Sequence, residues 1–109
     1  MAQFDVHRNA GKNDDAIPFV VIVQSSIFDG YLRRVVVPLV RKSNLDKIGH
    51  SRFNPTFKIE GMAVVLHPLE IVSVGNDRLG IFVASLAAEG NRISDALDEL
   101  LTRAWDQGV

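Results

Sequence analysis

Residues Val23–Leu39 read VQSSIFDGYLRRVVVPL, and the order of apolar and polar side chains within them decides how the rest of the chain is arranged. The stretch closes one β-branched run, IPFVVIVQ (Ile17–Gln24), and opens another, RRVVVPL (Arg33–Leu39). Both runs are short and apolar at odd and even positions alike, so neither face of either strand is patterned for water. In a chain of 109 residues, one such face fills the core and the other needs a cover. A second copy of the chain is the economical cover, so a homodimer is expected. The segment between the runs is also unusual, because Ile27, Phe28, Tyr31 and Leu32 lie where connections normally carry polar side chains.

Working outward, Gln3–His7 reads as a first strand, followed by RNAGKNDDA, a loop by its Gly, Asn and Asp content. Arg41–Pro55 is polar and loop-like. PTFKIEGMAVVLHP predicts a hairpin turning at Glu60 and Gly61, with glycine accommodating positive φ. Leu69–Val74 predicts another strand, ending at GNDRLG. GIFVASLAA is compatible with a last strand, a short helix, or one then the other. From Asn91 the period changes. Ile93, Leu97, Leu100, Leu101 and Ala104 recur at three- and four-residue steps, Asn91 suits a cap, Asp95, Asp98 and Glu99 fall early, and Arg103 falls late. These signals predict an amphipathic C-terminal helix. The fold class is therefore α+β, mainly β, a small-barrel layout of antiparallel hairpins closed by one helix, with residues 1–109 as a single domain.

Composition removes several functions. Twelve Lys and Arg against thirteen Asp and Glu give a net charge of -1, a poor field for a phosphate backbone, which argues against nucleic acid as a direct partner. The chain has no Cys, its N-terminus lacks signal-peptide layout, and its apolar runs are far shorter than the ~20 residues of a membrane span. A cytoplasmic protein without membrane association is expected. GxGxxG, GxxxxGK[ST], HExxH and GxSxG are all missing, and nothing calls for a cofactor. His7, His50 and His67 lack ligand spacing and read as structural or solvated, so no metal site is expected. Arg33 and Arg34 point to opposite strand faces, so at most one lines any given site, as an edge charge or as an anchor for an acidic partner segment. Lys42, Lys47, His50 and Arg52 make the middle loop mildly basic, either simply solvated or a partner contact.

The central segment resembles the CcdB toxin family of bacterial plasmid and chromosomal toxin-antitoxin modules. There, a strand ending V-x-V-Q-S precedes a short apolar connection, an Arg pair and an I/V-P-L strand, as in Val21–Leu39 here. QFDV at the N-terminus, NPTFKIEG and NRISDAL extend the resemblance over nearly the whole chain. It implies an SH3-like barrel with a small accessory sheet and a C-terminal helix, forming a two-fold dimer. It also implies a topoisomerase poison and not an enzyme: the family binds the A subunit of DNA gyrase and traps the cleaved DNA, and a disordered segment of a cognate antitoxin folds onto the toxin to neutralise it.

Carried over by position, the gyrase contacts are Ile27 and Phe28 in the connection, Trp105, and more loosely Gly108 and Val109 for the family's Trp-Gly-Ile ending. Arg33, Arg34, Lys42 and Lys47 are the candidate antitoxin contacts. Asp106 and Gln107 depart from the pattern by separating Trp105 from Gly108. The tail is about one helical turn longer than the family's; three extra residues rotate a side chain by about 300° and advance it ~4.5 Å. Other readings stay open. Ile27 and Phe28 also suit a dimer core, and Trp105 also suits packing onto the protein's own core. The chain also fits a non-poisoning module that captures an antitoxin. Lastly, relatives on a similar barrel are messenger-RNA ribonucleases, for which His7, Asp29, Arg33, Arg34 and Asp77 are available although no motif groups them.

Overall fold

The structure, a computed structural model, describes residues 2–45 and 51–102. Its strands are β1 (Asp5–Arg8), β2 (Phe19–Ile22), β3 (Arg33–Arg41), β4 (Thr56–Ile59), β5 (Met62–Leu66), β6 (Val72–Gly75) and β7 (Phe82–Ser85), followed by helix α1 (Gly90–Leu101). Every pairing among them is antiparallel, in the order β4-β5-β3-β2-β1-β7, with β6 also beside β3. The expected small barrel of antiparallel strands with one helix is what the chain forms.

β3 organises this sheet. One of its edges pairs with β2; along the other, Leu39–Arg41 pair with β5 and Arg33–Val36 with β6. Between those two partners the chain makes a 3-10 turn over Pro68–Glu70. Pro38 stands opposite that break, where its carbonyl accepts from the His67 N–H at 3.1 Å. A proline in mid-strand is tolerated here because its missing N–H would point at a gap in the ladder.

Side-chain alternation then fills two faces. On one, Val6, Phe19, Val21, Val37, Leu39, Phe57, Ile59, Val64 and Leu66 pack with Leu86, Ile93 and Ala96 around the helix. On the other, Ile22, Val36, Pro38, Val40 and Val65 are buried as well. There Val20, Val36 and Pro38 share a cavity of about 190 Å³ with Ile17, Val72 and Leu79. Both faces of the two apolar strands are thus largely covered within one chain. The curl of the sheet and the 8–17 segment supply much of that cover, with Val20 and Val35 left half-buried.

Several element boundaries also differ from expectation. β1 starts at Asp5 because Phe4 takes a positive φ of 70°. The strand read at Leu69–Val74 starts only at Val72, after the 3-10 turn. GIFVASLAA resolves as β7, a 3-10 turn at Ala87–Glu89, then α1. The helix begins at Gly90 with Glu89 before it, so Asn91 lies inside the helix and is not its cap. Asp95, Asp98 and Glu99 fall beyond the first turn, which holds no acidic residue. Two of them face Arg52, whose guanidinium reaches Glu99 at 2.7 Å and Asp95 at 3.7 Å. Ile93 and Ala96 are buried, whereas Leu101 is exposed. The hairpin turn lies where expected, with Glu60 and Gly61 both at positive φ (52° and 78°), the sign pattern of a type I′ turn.

Candidate functional site

The apolar connection is built by its polar neighbours. Ser25 precedes a 3-10 turn at Ser26–Phe28 and accepts the Ile27 N–H on its hydroxyl at 3.4 Å. Phe28, Asp29 and Tyr31 then donate their N–H groups to the carbonyls of Ser25, Ser26 and Phe28. Two side chains lock this coil to the sheet. Gln24 Nε2 donates to the carbonyls of Phe28 (3.3 Å) and Arg33 (3.2 Å), while its Oε1 accepts from the Val35 N–H at 3.1 Å. Arg34, only 4% exposed, donates Nη1 to the carbonyls of Tyr31 (2.6 Å) and Arg33 (2.9 Å), and Nη2 to that of Asp29 (2.9 Å). Among the described residues no carboxylate pairs with Arg34.

With its backbone carbonyls turned inward, the connection presents apolar side chains outward. Ile27 is 80% exposed, Leu32 77%, Tyr31 66% and Phe28 46%. Phe28 and Tyr31 meet edge to face, with centroids 6.0 Å apart. Beside them Gln24, Ser25, Arg33 and Val35 complete an apolar pocket of about 510 Å³. Clustered apolar exposure on a fixed segment characterises surfaces that bury against a partner.

Arg33 points away from Arg34, as strand alternation requires. It donates Nε to Ser73 Oγ and Nη2 to the Ser73 carbonyl, both at 2.8 Å. It also lines a polar groove of about 550 Å³ with Asn9, Ser73, Asp77 and Arg78. Lys42 is exposed beyond the far end of β3, so nine strand residues at ~3.3 Å each separate it from Arg33 by roughly 30 Å. The candidate antitoxin contacts are therefore dispersed. Lys47, Trp105, Gly108 and Val109 lie outside the described residues, as do His50 and Arg103. Of the residues a ribonuclease would need, only Arg33 and Asp77 share a groove. His7 is buried, with Nδ1 at 2.9 Å from the Gly80 carbonyl and its ring edge-on to Phe82. Asp29 is on the connection, where its carbonyl serves Arg34.

Sequence reading singled out Ile27 and Phe28 but missed the roles of Gln24 and Arg34. The signal was a polar residue at each end of an apolar connection, which lacks meaning until the carbonyls they meet are known. Among the described residues no group of His, Asp or Glu side chains is arranged to hold a metal, and no helix is long and apolar enough to cross a membrane.

Comparison with known proteins places this geometry. No curated protein sequence matches the chain at a significant level. Among solved structures, it is similar to an endoribonuclease in complex with its cognate antitoxin from a mycobacterial species. The TM-score is 0.74 at 19% identity, over 94% of this chain and 96% of that one. At that identity the likeness is one of fold. The family model described as CcdB protein matches residues 3–102, a span that includes the VQS strand end, the apolar connection and the start of the helix, and the chain therefore belongs to the CcdB family.

Proposed function

We propose that this protein is the toxin of a toxin-antitoxin module and that its apolar connection docks on the A subunit of DNA gyrase, poisoning the enzyme by holding its cleaved DNA intermediate. The observation that carries this reading is the outward display of Ile27, Phe28, Tyr31 and Leu32 on a segment fixed from behind. Such a platform pays little ordering entropy on binding, and its aromatic residues are of the type that dominates interfaces. In this reading Trp105, Gly108 and Val109 are further gyrase contacts, and two copies in a homodimer present the surface twice.

The cognate antitoxin supplies an acidic segment that folds onto the toxin. Arg33 supports this, since its groove holds Arg78 as well, beside one carboxylate, Asp77; Lys42, at the far end of β3, makes a separate contribution, and Lys47 is a further candidate contact. In this reading the protein works by binding and does no bond chemistry of its own. The endoribonuclease likeness raises RNA cleavage as the competing reading, but among the described residues the burial of His7 and the engagement of Arg34 by carbonyls leave no acid, base and phosphate clamp together. Titrating the protein into the gyrase A subunit by calorimetry tests the proposal. Saturable binding that Ile27→Asp abolishes supports it, and binding indifferent to Ile27 rejects it.

A further inference from the structure

We infer that Gln24 and Arg34 are positioning residues, a two-sided brace that holds the connection 25–32 as a fixed platform and acts on binding through the geometry of that platform. The inference deepens the docking role proposed above and rests on it only for its consequence in binding. Three observations support it. Arg34 is buried, and both of its terminal nitrogens already donate to carbonyls, at Asp29, Tyr31 and Arg33, so its head is not available to an incoming acidic group. Those carbonyls alternate along the chain, and the guanidinium fork gathers them on one side, leaving the opposite side for Tyr31 and Leu32 to face solvent. From the other end Gln24 uses both its donor and its acceptor, tying Phe28 to the start of β3 through Arg33 and Val35.

The chemistry of the brace is specific. Lysine keeps the charge of Arg34 but lacks the planar fork that reaches several carbonyls at once. Glutamate keeps the shape of Gln24 and its acceptor for the Val35 N–H, yet removes the donor to the Phe28 and Arg33 carbonyls and sets like partial charges together. Without the brace, the inward carbonyls turn out to water and the apolar side chains lose their common orientation.

The test uses Arg34→Lys and Gln24→Glu in the full chain, with amide hydrogen exchange, thermal melting and calorimetric titration against the gyrase A subunit. The exchange of Phe28, Asp29 and Tyr31 amides should quicken at least roughly tenfold while Val21 and Val37 stay protected, because local opening reports local brace energy. Affinity for the gyrase subunit should fall roughly tenfold in parallel, the loss expected when a preorganised surface must be ordered on binding. Weaker binding with unchanged exchange would mean direct contact and overturn the inference, as would faster exchange with unchanged affinity. If the parent chain itself fails to bind gyrase, the docking proposal is what fails. Exchange then decides the brace alone, with unchanged protection rejecting it. If Arg34→Lys does not fold, Gln24→Glu, at a half-buried position, carries the same readings.

Discussion

Two isoleucines make opposite predictions from the same substitution. Ile27 is 80% exposed on the connection, whereas Ile93 is fully buried where α1 meets the sheet. Ile93→Ala removes atoms packed on all sides and leaves a cavity, a loss of about 2–5 kcal/mol. For a chain of this size that lowers Tm by at least about 8 °C. Ile27→Ala removes atoms already in water, so folding stability should move by no more than about 0.5 kcal/mol. Its effect appears only when a partner covers it. Burying an isoleucine side chain is worth roughly 1.5–3 kcal/mol, and most of that remains to be gained at this position, so Ile27→Ala should weaken partner binding by about 1–2 kcal/mol, or roughly 5- to 30-fold. Thermal melts of both variants beside calorimetric titrations with the gyrase A subunit check the pair. A Tm drop of several degrees for Ile27→Ala would refute the reasoning, because it would mean that the connection is core and not a docking surface.

Three further substitutions test how the scaffold is held. Gly61→Ala forces a β-carbon onto a residue at φ 78°, and denaturant unfolding should show a loss of about 1–2 kcal/mol; no loss would mean that the hairpin turn relaxes. A β-carbon at Gly80 would run into the Arg8 carbonyl oxygen, with the Arg8 carbonyl carbon at 3.0 Å. Gly80→Ala should therefore push the 80–82 segment off β1 and cost about 1–3 kcal/mol in a thermal melt. Arg92 ties α1 to β4 by donating to the Thr56 carbonyl at 2.7 Å and lying 4.4 Å over the Phe57 ring. With its side chain 40% exposed, Arg92→Met should cost about 1–2 kcal/mol in urea unfolding, and a change near zero would remove the helix anchor from the account.

Much of the sheet was legible because its signals are local. The β-branched runs gave β2 and β3, the Glu60–Gly61 pair gave the hairpin turn, and the periodicity after Asn91 gave α1. Where reading failed, the deciding partner was distant in sequence. Pro68 opens a 3-10 turn that takes up the first residues of the strand expected from Leu69, and β3 tolerates the resulting gap because Pro38 stands opposite it. Asn91 has a good cap side chain, but the helix starts one residue earlier, where Glu89 closes a 3-10 turn. The all-apolar strands called for a cover, and sequence could not reveal that residues 8–10 and Ile17 come to share a cavity with Val20, Val36 and Pro38, beside Val72 and Val74 of β6. For the candidate site, Ile27 and Phe28 stood out by being apolar in a connection. Charge alone leaves Arg34 open as an edge charge or a partner anchor, and its position one residue after Arg33 turns it inward to the carbonyls of 29, 31 and 33.

The most direct test of the central claim is a plasmid cleavage assay with purified protein, DNA gyrase and ATP, comparing the parent chain with Ile27→Asp of unchanged Tm. Linear DNA is expected with the parent chain and none with the variant. No linear DNA from the folded parent chain, or equal linear DNA from both, would contradict that claim.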